Sequence, residues 1–250
     1  MDVLSMPVLL APPGICHQES NIGAELDLVV LIESCIHCRE QRNTARNTFM
    51  KPHLWGNFAI RFVFVTGTPA DNKFDKDDEN LMAMFYEAAS YGDMLVANIE
   101  DQSFPHVWKQ VFTFRWASAF CAQNALIFLF MDHNYSIVPK NLISFLRDCP
   151  KNALPDVNVG LYNFENIALA SKAEKFDETS PEVMSSISSN SGGYAYLSGI
   201  RIVTDAAIVS AFIAPPSMEQ ANVRILWRML GVSIKEVNHF VDSVKNYKKY

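Results

Sequence analysis

The chain has 250 residues, 49% hydrophobic and 19% charged, a balance that supports a sizeable folded core and excludes a disordered chain. Its formal net charge of -6, with Lys and Arg scattered, excludes nucleic acid as a natural partner. No apolar run reaches the roughly 18 residues that a membrane-spanning helix needs.

Met1 to Ile15 is apolar, but it lacks a basic leader and carries Pro12-Pro13-Gly14 where a signal helix would continue. The expectation is that this is not a signal peptide: either the protein is soluble as written or its membrane anchor is missing from this sequence. Leu26 to Ile32 (LDLVVLI) is the first strand candidate. Its unbroken part from Leu28 has the pattern of a strand buried on both faces. Cys35 and Cys38 follow at C-x-x-C spacing with His37 between them. That spacing suits redox or zinc chemistry, but no second pair follows to complete four zinc ligands. The five cysteines (Cys16, Cys35, Cys38, Cys121, Cys149) therefore read as buried or disulfide-bonded, and their odd number leaves at least one thiol free or paired between chains.

Arg61 to Thr66 (RFVFVT) is a second buried strand, closed by Gly67. Glu79 to Ser90 reads as a helix, with Leu81, Met82, Phe85 and Ala89 recurring at helical spacing. Val107 to Cys121 reads as another, and its Trp108, Phe114 and Trp116 as core residues. Leu126 to Met131 (LIFLFM) is the third strand, followed at once by the polar Asp132-His133-Asn134. Farther on, Ser185 to Gly193 is a Ser/Gly-rich loop, a linker or a lid, and Met218 to Leu230 is helical after the Pro215-Pro216 break. Buried strands alternating with helices predict an α/β fold with a mostly parallel sheet. Ligands of such sheets bind beyond the carboxyl ends of the strands, so the polar cluster after LIFLFM is where a site belongs.

Several stretches, in order, resemble one family. Arg42-Asn43-Thr44-Ala45-Arg46-Asn47-Thr48-Phe49 is similar to the RxxIRxTW signature of the β-1,3-galactosyltransferases (glycosyltransferase family 31), with Ala45 and Phe49 in place of Ile and Trp. LDLVVLIES and RFVFVTG resemble the family's first strands, and Tyr91-Gly92-Asp93-Met94-Leu95 its YGDIL segment. Glu100-Asp101 with Lys109 resembles EDxYxNLTLK. Trp116, Cys121 and Asn124-Ala125 fit the approach to the metal strand, and Lys175-Phe176 and Tyr196-Leu197-Ser198-Gly199 resemble KW and YxSG.

The resemblance implies a GT-A fold, a Rossmann-like mostly parallel sheet flanked by helices. It also implies inverting transfer of a hexose, galactose or a related sugar, from a UDP-sugar donor to a hydroxyl of a glycan acceptor on protein or lipid. It implies the Golgi lumen, with the membrane reached through an anchor absent from this chain. Residues 1–250 are then expected to form one catalytic-type domain, with a nucleotide-sugar half over about 20–150 and an acceptor half over about 151–245.

By the same resemblance, Asp132, His133 and Asn134 stand where the family carries its Asp-x-Asp-type motif for Mn²⁺. A hard cation wants carboxylate oxygens and must neutralise a diphosphate leaving group. Asp132 keeps its charge, whereas Asn134 offers a neutral carbonyl and His133 an imidazole better suited to softer ions. Asn134-Tyr135-Ser136 is also a glycosylation sequon, expected to be unmodified because a glycan there would plug the cleft. Arg42, Arg46, Asp101 and Lys109 fall at positions that the resemblance assigns to the nucleotide side. The two arginines lie four apart and suit either a diphosphate or structural salt bridges. The family's acidic base pair falls on Glu219 and Gln220, and an amide cannot take the acceptor's proton. Two readings follow: a hexosyltransferase with a metal site of reduced charge, or a pseudo-glycosyltransferase that keeps the fold and acts by binding.

Overall fold

The structure, a computed structural model, describes residues 7–12, 14–16, 26–69, 79–101, 106–162, 194–212, 227 and 229–246. Its centre is a seven-stranded sheet. The strands are β1 (Val8–Leu10), β2 (Leu28–Glu33), β3 (Ile60–Thr68), β4 (Met94–Glu100), β5 (Ile127–Asp132), β7 (Asn158–Tyr162) and β8 (Tyr194–Gly199), in the order β1-β4-β3-β2-β5-β8-β7. Strands β4, β3, β2 and β5 run parallel; β1 pairs antiparallel with β4 at one edge, and at the other β8 pairs antiparallel with both β5 and β7. The sheet is mixed around a parallel core. The three strands read from the sequence are neighbours, as expected, and Asp132 closes β5 at its carboxyl end.

Both faces of this sheet are covered, which is why its strands read as unbroken apolar runs. Side chains alternate along a strand, so Leu28, Val30 and Ile32 of β2 face one core and Val29 and Leu31 the other. The first core includes residues of α1 (Arg39–Asn47), α2 (Glu79–Tyr91) and α4 (Pro139–Asp148). The second takes α3 (His106–Phe120) and α5 (Ile200–Val209), with Trp108, Phe114 and Trp116 buried there as expected. A small second sheet pairs β6 (Tyr135–Ile137) with β9 (Val244–Asn246), next to the short helix α6 (Asn238–Val241).

Helix α2 has the expected extent but a different inner face. Leu81, Met84, Glu87 and Ala88 are buried, whereas Met82 and Ala89 are exposed and Phe85 half-buried. The reason is Glu87: the helix is turned so that this carboxylate reaches two arginines of α1, and that pairing outweighs burial of Met82. The helix read over Met218 to Leu230 and the Ser185 to Gly193 loop lie largely outside the described residues, as does Lys175-Phe176.

The chain runs outward from β2 to β3 to β4, then crosses back through α3 to add β5 on the opposite side of β2. The strand order therefore reverses between β2 and β5. In open α/β sheets that reversal leaves a crevice at the carboxyl ends of the two strands, where ligands bind. Glu33 and Asp132 are paired in register there.

Candidate functional site

Glu33 ends β2 and is only 5% exposed. Its Oε2 accepts a hydrogen bond from the Tyr194 hydroxyl at 2.5 Å, and its Oε1 lies 3.4 Å from Lys109 Nζ. Lys109 also donates to Asp101 Oδ1 at 2.8 Å. Asp101 in turn accepts from the backbone N–H of Gly67 at 3.2 Å through Oδ1 and from that of Ile36 at 2.6 Å through Oδ2. A side chain on Gly67 would collide with the Ile99 carbonyl and lie 2.8 Å from Asp101 Oδ1, so glycine is required for the carboxylate to come this close. Burial pulls the Lys109 ammonium down, but the charges of Glu33 and Asp101 outweigh it and hold the group above its ordinary value. Burial and the Glu33 charge push the Tyr194 phenol well above its usual range, so it remains a donor.

Across the crevice, Asp132 ends β5. Its Oδ1 accepts both the backbone N–H of Asn134 at 2.7 Å and the Asn134 side-chain amide. Among the described residues the contacts of this carboxylate with Asn134 and His133 fall on Oδ1, and Oδ2 is the oxygen that a cation would take. His133 is fixed from behind. Its backbone N–H donates to the Glu33 carbonyl at 3.0 Å, and its ring Nδ1 lies 3.2 Å from the same oxygen. A carbonyl only accepts, so Nδ1 carries the proton; in the neutral imidazole Nε2 then presents a lone pair, 3.5 Å from Cys38 Sγ. Among the described residues no group of three or more His, Cys, Asp and Glu is placed to hold a metal ion. The donor set present, one carboxylate oxygen and the carbonyl of Asn134, fits a hard cation that completes its shell with diphosphate oxygens and water.

Arg42 and Arg46 belong to a second buried network, behind α1. Arg42 donates to Glu87 through Nε at 2.9 Å and Nη2 at 2.7 Å, and to Ser34 Oγ and the Cys35 and Ile36 carbonyls. Arg46 donates to Glu87 at 2.7 Å and forks onto Asp93 with two bonds of 2.8 Å, its guanidinium 3.8 Å from the Tyr91 ring centroid. Of the two uses open to these arginines, the structure has them in salt bridges. Arg42 reaches the crevice through the Ser34–Ile36 turn that it clamps.

The structure thus brings together Asp101, Lys109, Asp132, His133 and Asn134. Glu219 and Gln220 lie outside the described residues. Sequence reading missed Glu33, Tyr194 and Glu87. Glu33 carried a usable signal, a carboxylate at the end of an apolar strand, the same signal that marked Asp132. Tyr194 carried none.

The Glu87 pair predicts a response to acid. Burial pushes its carboxyl up, but hydrogen bonds and charge from Arg42 and Arg46 outweigh that and hold it below the ordinary 4.5. A depressed folded value stabilises the fold above the unfolded value and is lost as pH falls through the folded one. Urea unfolding at about pH 6 and about pH 3.5 should show a larger loss of stability for the parent than for Glu87→Gln.

With this geometry in hand, a family model described as Galactosyltransferase matches residues 40–238. The chain belongs to this family. The observed parallel core and flanking helices are the Rossmann-like GT-A arrangement that goes with it. Among named relatives, the Drosophila melanogaster protein "Beta-1,3-galactosyltransferase brn" is 26% identical over 149 residues, covering 60% of this chain and 43% of that protein. The Homo sapiens protein "UDP-GlcNAc:betaGal beta-1,3-N-acetylglucosaminyltransferase 9" is 26% identical over 167 residues, covering 64% and 41%. The chain therefore spans less than half the length of these relatives.

Proposed function

We propose that this galactosyltransferase-family chain is a hexosyltransferase that takes its sugar from a UDP-sugar, UDP-galactose first among candidates, and delivers it with inversion to a glycan hydroxyl. The observation that carries this reading is the pairing of Glu33 with Asp132 at the strand-order reversal, with Lys109 and Asp101 anchored beside them. The donor diphosphate would lie across the carboxyl ends of β2 and β5. Asp132 Oδ2 and the Asn134 carbonyl would hold Mn²⁺, which supplies charge neutralisation to the departing diphosphate. Tyr194, Lys109 and Asp101 keep Glu33 and the Ser34–Cys38 turn in one position. The Glu219 carboxylate would take the acceptor's hydroxyl proton as its oxygen bonds to the anomeric carbon and the bond from that carbon to the diphosphate breaks. The acceptor side would come from residues 151–245. The Golgi lumen as workplace belongs to the same proposal, on the strength of the family. Among the described residues no helix is long and apolar enough to cross a membrane.

A pseudo-glycosyltransferase that binds without turnover is the second reading, favoured by one observation. Asn134 gives Asp132 an N–H where a carboxylate would add charge. Calorimetry with UDP tests the donor site: affinity should rise about tenfold or more with Mn²⁺, and Asp132→Ala should abolish that difference. Equal affinity in both conditions would remove metal-assisted donor binding from the proposal.

A further inference from the structure

The two disulfides of the described residues are unalike. Cys16–Cys121 joins residues 105 apart in sequence, and both ends are buried in the core, 3% and 0% exposed. Cys35–Cys38 joins residues only three apart. Closing so short a loop removes little entropy from the unfolded chain, so its contribution to overall stability is small. Its two ends are differently placed: Cys35 is half-buried, whereas Cys38 is 8% exposed at the N-cap of α1. Beside Cys38 Sγ, at 3.5 Å, stands the Nε2 lone pair of His133, whose ring is held from its other side by the Glu33 carbonyl. The proposed sugar transfer gives the disulfide itself no chemical step.

We infer that Cys35–Cys38 is a thiol–disulfide exchange site that takes a dithiol as its reaction partner, and that His133 in the Asp132–Asn134 loop senses its state. One thiolate of the dithiol attacks Sγ of Cys35, the more exposed of the two residues. The Sγ–Sγ bond breaks, and Cys38 leaves with the electron pair toward the N-terminus of α1, where negative charge is favoured. The dithiol's second thiolate then attacks its own sulfur in the mixed disulfide and expels Cys35. The dithiol ends as a cyclic disulfide, and two electrons and two protons now reside on the Cys35 and Cys38 thiols. In the oxidised state Cys38 has no proton to offer His133. In the reduced state its S–H donates to Nε2, a hydrogen bond that only the reduced state can make and that therefore couples the two sites. The same turn supplies the Cys35 and Ile36 carbonyls to Arg42 and the Ile36 N–H to Asp101, so opening it loosens the wall of the crevice as well. The exchange chemistry stands whether or not the chain transfers a sugar.

The test treats the folded chain with dithiothreitol without denaturant, then alkylates with isotope-coded reagents and maps peptides by mass spectrometry. Cys35 and Cys38 should become labelled at least about tenfold faster than Cys16 and Cys121, because rate follows access to the attacked sulfur. In parallel, the His133 Cε1–H resonance, assigned with His133→Gln, should shift on reduction of the parent and stay fixed in Cys35→Ser/Cys38→Ser. Equal or faster opening of Cys16–Cys121 would overturn the exchange site. A His133 resonance unmoved by reduction of the parent would overturn the coupling, and both readouts are taken without UDP.

Discussion

Replacing Glu87 with alanine is expected to lower the unfolding free energy by about 3–5 kcal/mol, read from urea denaturation midpoints at neutral pH. Glu87 is 2% exposed, and its two oxygens take three hydrogen bonds from Arg42 and Arg46. Truncation leaves the Arg42 guanidinium, itself 1% exposed, with carbonyl and hydroxyl acceptors but no counter-charge. Arg46 keeps its fork on Asp93 and suffers less. An unpaired buried charge costs far more than a lost surface contact, and total stabilities are only about 5–15 kcal/mol, so the variant should approach the edge of folding. Glu87→Gln retains an acceptor without the charge and should fall between parent and alanine. A loss below about 1 kcal/mol would mean that the pair is solvated in solution and that α2 is free to turn its Met82 face inward.

The second large effect is a gain. Asn134→Asp combined with Gln220→Asp should raise hydrolysis or transfer from UDP-galactose by about 10²–10⁴-fold over the parent, measured as UDP release with Mn²⁺ present. In the parent, Asn134 donates to Asp132 Oδ1 and so occupies an oxygen that a cation would otherwise share. An aspartate side chain there has no proton to donate, and only the backbone N–H still reaches that oxygen. Two carboxylates side by side repel until a divalent ion bridges them, so the substitution removes a competitor and adds a ligand in one step. The Gln220→Asp change supplies a carboxylate at the position that the family uses to take the acceptor's proton. A repaired protein that stays silent while the parent binds UDP would favour the pseudo-glycosyltransferase reading. High turnover by the parent would mean that His133 and Glu219 already serve.

Much of this protein is legible from local pattern alone. LVVLIE and IFLFMD announce doubly covered strands because every position along them is apolar until the last, which is acidic where it meets the crevice, and the FVFV run of RFVFVT reads the same way. The order of short motifs from Arg42 to Gly199 was enough to place the family, and the polar turn after β5 to point to one side of the candidate site.

What only the tertiary structure decided is which charges meet. Arg42 finds Glu87 at a sequence distance of 45, His133 finds Cys38 at 95, and Tyr194 finds Glu33 at 161. Apolar burial acts on each segment separately and follows the period of its own helix or strand, so it leaves a trace in the sequence. A buried ion pair or hydrogen bond depends on atoms within about 3 Å, and that proximity exists only after the sheet has ordered its strands. For the same reason the apolar spacing of Leu81, Met82, Phe85 and Ala89 gave no sign that Glu87 of that helix is turned inward by two arginines on another helix.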